Sequence, residues 1–103
     1  MYGLIGKMKC MPGQRDTLIS ILLEGVSGMP GCLSYVVAKD PTESDSIWIT
    51  EAWETQALHK ASLSLQSVQA AITKARPLIS GFGERFETEP VGGHGLVASK
   101  SVA

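Results

Sequence analysis

Residues 46–54 constrain the fold more than any other stretch of this chain. Their centre, Ile47-Trp48-Ile49-Thr50-Glu51-Ala52-Trp53, reads as a strand. Its two alternating faces both carry bulk: Ile47, Ile49 and Trp53 on one side, Trp48 and Ala52 on the other. The stretch Cys32–Lys39 repeats the pattern, with Tyr35 and Val37 set against Val36 and Ala38. An antiparallel sheet with one wet face alternates apolar and polar residues cleanly. Neither stretch does, so both faces of the sheet are expected to be covered. Helices supply one cover. A second copy of the chain is the expected other, because a large bare apolar patch is rare on a monomer. The alternative is a monomeric sheet partly covered by the C-terminal tail.

The rest of the chain fits such a sheet. Tyr2–Cys10 is a strand, with Leu4, Met8 and Cys10 on one face, and Pro12-Gly13 ends it and opens a helix. Leu18, Ile19, Leu22, Leu23 and Val26 form that helix's apolar stripe, and Met29-Pro30-Gly31 stops it. Asp40 to Asp45 is a polar turn between strands. Thr55 caps a short helix through His59 and Ala61, and Ser62-Leu63-Ser64 interrupts it. A longer helix follows with Val68, Ala71, Ile72, Ala75 and Ile79 on one stripe, distorted or ended by Pro77. Residues 81–89 form the last strand, with Phe82 and Phe86 expected on one face. The order β-α-β-β-α-β predicts an α+β, ferredoxin-like split βαβ sandwich. Residues 1–89 make the domain and 90–103 a turn-rich tail.

Composition supports self-association. The 103 residues are 44% hydrophobic and 18% charged, against the roughly one quarter charged of an ordinary globular chain. The net charge is −1 and basic residues are scattered, so no nucleic-acid surface is expected. No apolar run approaches the length that spans a bilayer, and the N-terminus lacks a signal-peptide layout. A cytoplasmic protein without a membrane partner is the expectation. Cys10 and Cys32 fall at opposite ends of the predicted sheet, so an intrachain disulfide is not expected. Two distant histidines without a carboxylate at ligand spacing make a weak metal site, and no metal is expected. No phosphate-binding glycine loop and no nucleophile elbow is present.

The run Glu51-Ala52-Trp53-Glu54-Thr55-Gln56-Ala57-Leu58-His59-Lys60-Ala61-Ser62 has the form E-x-W-x-[ST]-x-x-x-H-x-x-S. It resembles the antibiotic biosynthesis monooxygenase family, which includes quinol monooxygenases. The opening strand, the Pro12-Gly13 helix start, Met29-Pro30-Gly31-Cys32 and Arg76-Pro77-Leu78-Ile79 are similar to that family too. The resemblance implies a dimeric α+β barrel, a homodimer whose sheets meet. It further implies oxidation of a small phenolic or hydroquinone substrate by molecular oxygen, with no flavin, haem or metal cofactor. A haem-degrading branch uses an Asn on the first strand and a Trp and a His on the later helix. None of these is present at the matching positions here.

Among the residues themselves, His59 is the expected catalytic base, since its ordinary pKa near 6.5 suits proton transfer at neutral pH. Trp48, Trp53 and Tyr35 are expected to wall a pocket for an aromatic ring, though core or interface packing would also account for them. Glu51 shares the face of Ile49 and Trp53, where a carboxylate must be paired or shifted in pKa. It would orient His59 or meet a cation such as Arg85. Ser62 is a candidate hydrogen-bond donor to a ligand oxygen, or a helix cap. Arg76 and His94 read as solvated. The alternative function is a non-catalytic binding or sensing module on the same scaffold.

Overall fold

The computed structural model describes residues 1–96. The elements are β1 (Tyr2–Cys10), α1 (Arg15–Gly25), β2 (Cys32–Lys39), β3 (Ser46–Trp53), α2 (Gln56–Ser62), α3 (Gln66–Ala75) and β4 (Ile79–Thr88), with a 3₁₀ turn at Arg76–Leu78. The strands form one sheet in the order β2-β3-β1-β4, each neighbour antiparallel. This is the α+β ferredoxin-like arrangement. The part of the predicted tail beyond Leu96 lies outside the described residues.

The core forms where α1 and α3 lie on the inner face of the sheet. Leu18, Ile47, Ile49, Cys10 and Ala75 are its buried centre, with Val37, Ile79 and Leu22 packed around them. Burying a side chain such as Leu18 or Ile47 contributes about 1.5–3 kcal/mol. Gly25 lets the helices approach closely. A Cβ there would stand 2.6 Å from the Cβ of Ala71. At the end of the α1–β2 loop Gly31 takes φ 80°, and a Cβ would meet Leu58 of α2 at 2.5 Å. Both cysteines are free, as their places at opposite sheet ends require.

Several boundaries differ from the sequence expectation. Helix α1 starts at Arg15, because Gly13 takes φ 76° in a turn and its N–H donates to Asp45 Oδ1 at 3.2 Å. Ser62 belongs to α2 instead of interrupting it. Thr55 does cap that helix, its Oγ1 accepting from the Leu58 N–H at 3.1 Å. Pro77 sits in the 3₁₀ turn, so the chain extends at once and Ile79 opens β4 instead of ending α3.

Phe82 and Phe86 do not share a face. The β1–β4 register pairs Ile5 with Phe86 and Gly6 with Arg85, but Met8 with Phe82. Lys7 of β1 thus opposes both Gly83 and Glu84 of β4, a β-bulge that reverses the side-chain alternation. Phe86 therefore sits with Ile5 on the outer face, and Phe82 with Met8 on the inner one.

The outer face carries Ile5, Val36, Trp48 and Phe86 beside a charged cluster. Lys7 Nζ lies 2.7 Å from Glu43 Oε1 and 3.6 Å from Asp40 Oδ2. Asp40 organises the β2–β3 turn, accepting the N–H and hydroxyl of Thr42, each at 2.8 Å, and the Glu43 N–H at 3.0 Å. These donors, Thr42 foremost, hold the Asp40 carboxyl far below the usual carboxylate range.

Candidate active site

Between the inner sheet face and the helices lies a largely apolar cavity of about 680 Å³. Leu22 of α1, Val26 just past its end, and Val68 and Ile72 of α3 form its roof, and Met8, Tyr35, Glu51 and Trp53 its floor. Such a volume falls within the ordinary range for a small-molecule site. His59, Ser62 and Leu63 line the cavity from α2.

The local sequence explains how His59 reaches it. Strand β3 ends at Trp53, Thr55 caps α2, and His59 follows one turn later, its N–H donating to the Thr55 carbonyl at 3.3 Å. The imidazole packs against two rings, with centroid separations of 5.4 Å to Trp53 (edge-on) and 5.5 Å to Tyr2 (tilted). Its Nε2 stands 3.9 Å from Glu51 Oε1. That same carboxylate oxygen accepts the indole N–H of Trp53 at 2.9 Å. Glu51 Oε1 is thus fixed by the Trp53 indole and is also the oxygen nearest His59. Both side chains are only about 15% exposed, at 15% for Glu51 and 16% for His59. Both side chains thus keep some contact with solvent.

Tyr35 is directly opposite Glu51 in the β2–β3 register. Burial, reinforced by the Glu51 charge, raises the Tyr35 phenol well above its ordinary pKa of 10. It therefore stays protonated and remains a hydrogen-bond donor. Burial and then Glu51 likewise raise the thiol of Cys32. Ser62 is buried, and its hydroxyl donates to the His59 carbonyl at 2.6 Å. That bond satisfies the hydroxyl proton within the helix and leaves its lone pairs to accept.

Of the residues singled out from sequence, His59, Tyr35, Glu51, Trp53 and Ser62 meet around this cavity. Trp48 does not. It points to the outer face, where its indole N–H donates to Asp40 Oδ2 at 2.9 Å and Lys7 Nζ lies 5.7 Å from its ring. The period-two alternation of β3 puts it opposite the cavity. No ion pair joins Glu51 to Arg85 among the described residues; Trp53 and His59 occupy the carboxylate instead. Arg76 lines the cavity rim.

Sequence reasoning missed Tyr2 and Phe82. Tyr2 shares the parity of Leu4 and Met8 on β1 and pairs with Trp53, so alternation alone could have placed it. Phe82 depends on a bulge that no residue pattern announced. Among the described residues, no three His, Cys, Asp or Glu side chains are grouped to hold a metal ion. No described helix is long and apolar enough to cross a membrane.

Residues 1–74 match the family described as antibiotic biosynthesis monooxygenase. The crystal structure of a "putative antibiotic biosynthesis monooxygenase" from Chloroflexus aurantiacus is 66% identical, covers 92% of this chain and 97% of its own, and superposes with a TM-score of 0.90. Two further crystal structures carrying that same description share the fold alone. The one from Caulobacter crescentus is 19% identical, with 88% and 90% coverage and a TM-score of 0.79. The one from Deinococcus radiodurans is 22% identical, with 90% and 95% coverage and a TM-score of 0.73. No curated protein matches the chain.

Proposed function

Because the chain belongs to the antibiotic biosynthesis monooxygenase family, we propose that it oxidises a small phenolic or hydroquinone substrate with molecular oxygen, using no metal or organic cofactor. The observation that carries this reading is the His59–Glu51 pair at the edge of an apolar cavity. A neutral aromatic ring enters between Trp53, Tyr35 and the helix roof. His59 takes the phenolic proton, with Glu51 Oε1 3.9 Å from its Nε2. The phenolate then gives up electrons to oxygen far more readily than the phenol. One oxygen atom enters the ring and the other leaves as water, all four electrons coming from the substrate. The apolar walls keep water from reactive oxygen species.

In the same reading the working unit is a homodimer in the cytoplasm. The outer sheet face exposes Val36 and Phe86, each more than half accessible, beside Ile5 and Trp48. A second sheet laid over them accounts for the two-sided bulk of β2 and β3.

The test is oxygen uptake over a panel of hydroquinones and polyphenols, for wild type and His59→Ala. Loss of a general base is expected to slow uptake about 10²-fold or more while the variant melts as a folded protein. Undiminished uptake in His59→Ala would remove His59 from the mechanism. Ligand-induced thermal stabilisation without any oxygen consumption would make the protein a binding module instead.

A further inference from the structure

We propose that the active-site cavity has a second compartment, floored by Gly6 and walled by Phe82, that receives an extended apolar substituent of the aromatic ligand. The proposal rests on the ligand-binding part of the reading above, though not on its oxidative step.

A smaller space of about 220 Å³ adjoins the main cavity on the same sheet face. The two share Met8, Glu51 and Phe82. Glu51 thus stands at the junction, and a ring held against it projects a substituent into either space. The smaller one holds about seven water-sized groups at roughly 30 Å³ each. Leu4, Met8, Ile49 and Phe82 make it mainly apolar, while the exposed Glu84 and Arg85 give it a wet end.

Gly6 is the second, independent observation. Glycine inside a strand weakens it and marks either a backbone irregularity or a place where something approaches closely. Gly6 does not need its conformational freedom, because its φ lies outside the left-handed region. Neither does any neighbour crowd it, since a Cβ built there meets nothing within 4 Å. What glycine leaves at this position is room beside Glu51. Phe82 closes that room from β4. Its side chain is 71% exposed, which is unusual for a Phe, and the bulge in β4 turns it inward over the junction.

The experiment is anaerobic calorimetric titration with a pair of phenols, resorcinol and 4-hexylresorcinol. Wild type, Gly6→Val and Phe82→Ala are compared, with melting curves for each. At about 0.8 kcal/mol per buried methylene, roughly fourfold in affinity, the hexyl arm is expected to tighten binding at least about tenfold in wild type. Gly6→Val, which suits a strand and fills the floor, is expected to abolish that gain while leaving resorcinol affinity unchanged. Phe82→Ala is expected to reduce the gain without lowering the melting temperature, and it carries the test if Gly6→Val does not fold. Resorcinol binding without a gain from the hexyl arm overturns the second compartment alone, as does a gain that survives both substitutions. Binding of neither phenol to wild type overturns the ligand cavity itself, and this compartment with it.

Discussion

Replacing Gly25 by Ala tests the packing that roofs the cavity. In most helices this change stabilises, because glycine costs up to about 1 kcal/mol relative to alanine. Gly25 is the last residue of α1, so the gain there is smaller. Against it stands the 2.6 Å separation that a new Cβ would have from Ala71 Cβ. Carbon atoms rest about 3.5–4.0 Å apart, so α1 and α3 must separate by roughly 1 Å. Overpacking of this kind costs about 1–3 kcal/mol. The clash wins, and Gly25→Ala is expected to be less stable by about 1–2 kcal/mol. Urea denaturation measures this as a lower midpoint at unchanged slope. The companion Ala71→Gly variant removes the opposing Cβ and pays the glycine penalty inside α3. If the clash is the cause, the double variant should be more stable than the two single effects add up to, with a coupling of about 1 kcal/mol or more. A stabilised Gly25→Ala, or additive single effects, would refute the close approach as the reason glycine is there.

Two other perturbations read the site and its support. Trp53→Phe removes the indole N–H that Glu51 Oε1 accepts at 2.9 Å, and a hydrogen bond to a charged group contributes about 1.5–3 kcal/mol. With the lost volume of a side chain only 1% exposed, the variant is expected to unfold at clearly lower urea, and a midpoint equal to wild type would show that the bond contributes nothing. Asp40→Asn addresses pH. The folded Asp40 carboxyl lies below its unfolded value, chiefly through the Thr42 donors, so its contribution is fully present above the unfolded pKa near 4 and is lost as pH falls toward the folded value. Melting temperatures of wild type and Asp40→Asn should therefore differ at pH 7 and converge in strong acid, and a gap that is constant with pH would contradict the assignment.

The element order was legible because each signal is local. The runs of β-forming residues in β1–β3, the proline and glycine stops, and the Thr55 cap are properties of neighbouring residues, and they depend little on the rest of the fold. The meeting of Glu51 with His59 was also legible. A strand residue and a helix residue flanking a capped turn come close whenever the helix folds back over that strand's face. Trp48 shows where aromatic content misleads. Its parity already set it opposite Trp53, and the attraction of a large ring for a pocket does not override a period of two. Its actual partners, Asp40 and Lys7, come from a turn and from the adjacent strand. Phe82 marks the harder limit. One extra residue in β4 between the partners of Gly6 and Met8 moves Phe82 from the face of Phe86 to that of Met8. The bulge is set by how two strands at opposite ends of the domain's sequence come into register, and neither strand's own sequence specifies it. The Phe82 wall of the cavity is thus a product of pairing, whereas the Glu51–His59 pair beside it follows from one contiguous segment. Under the proposed function, substitutions within 51–62 should change the chemistry, and substitutions at Gly6 or Phe82 should change which ligands reach it.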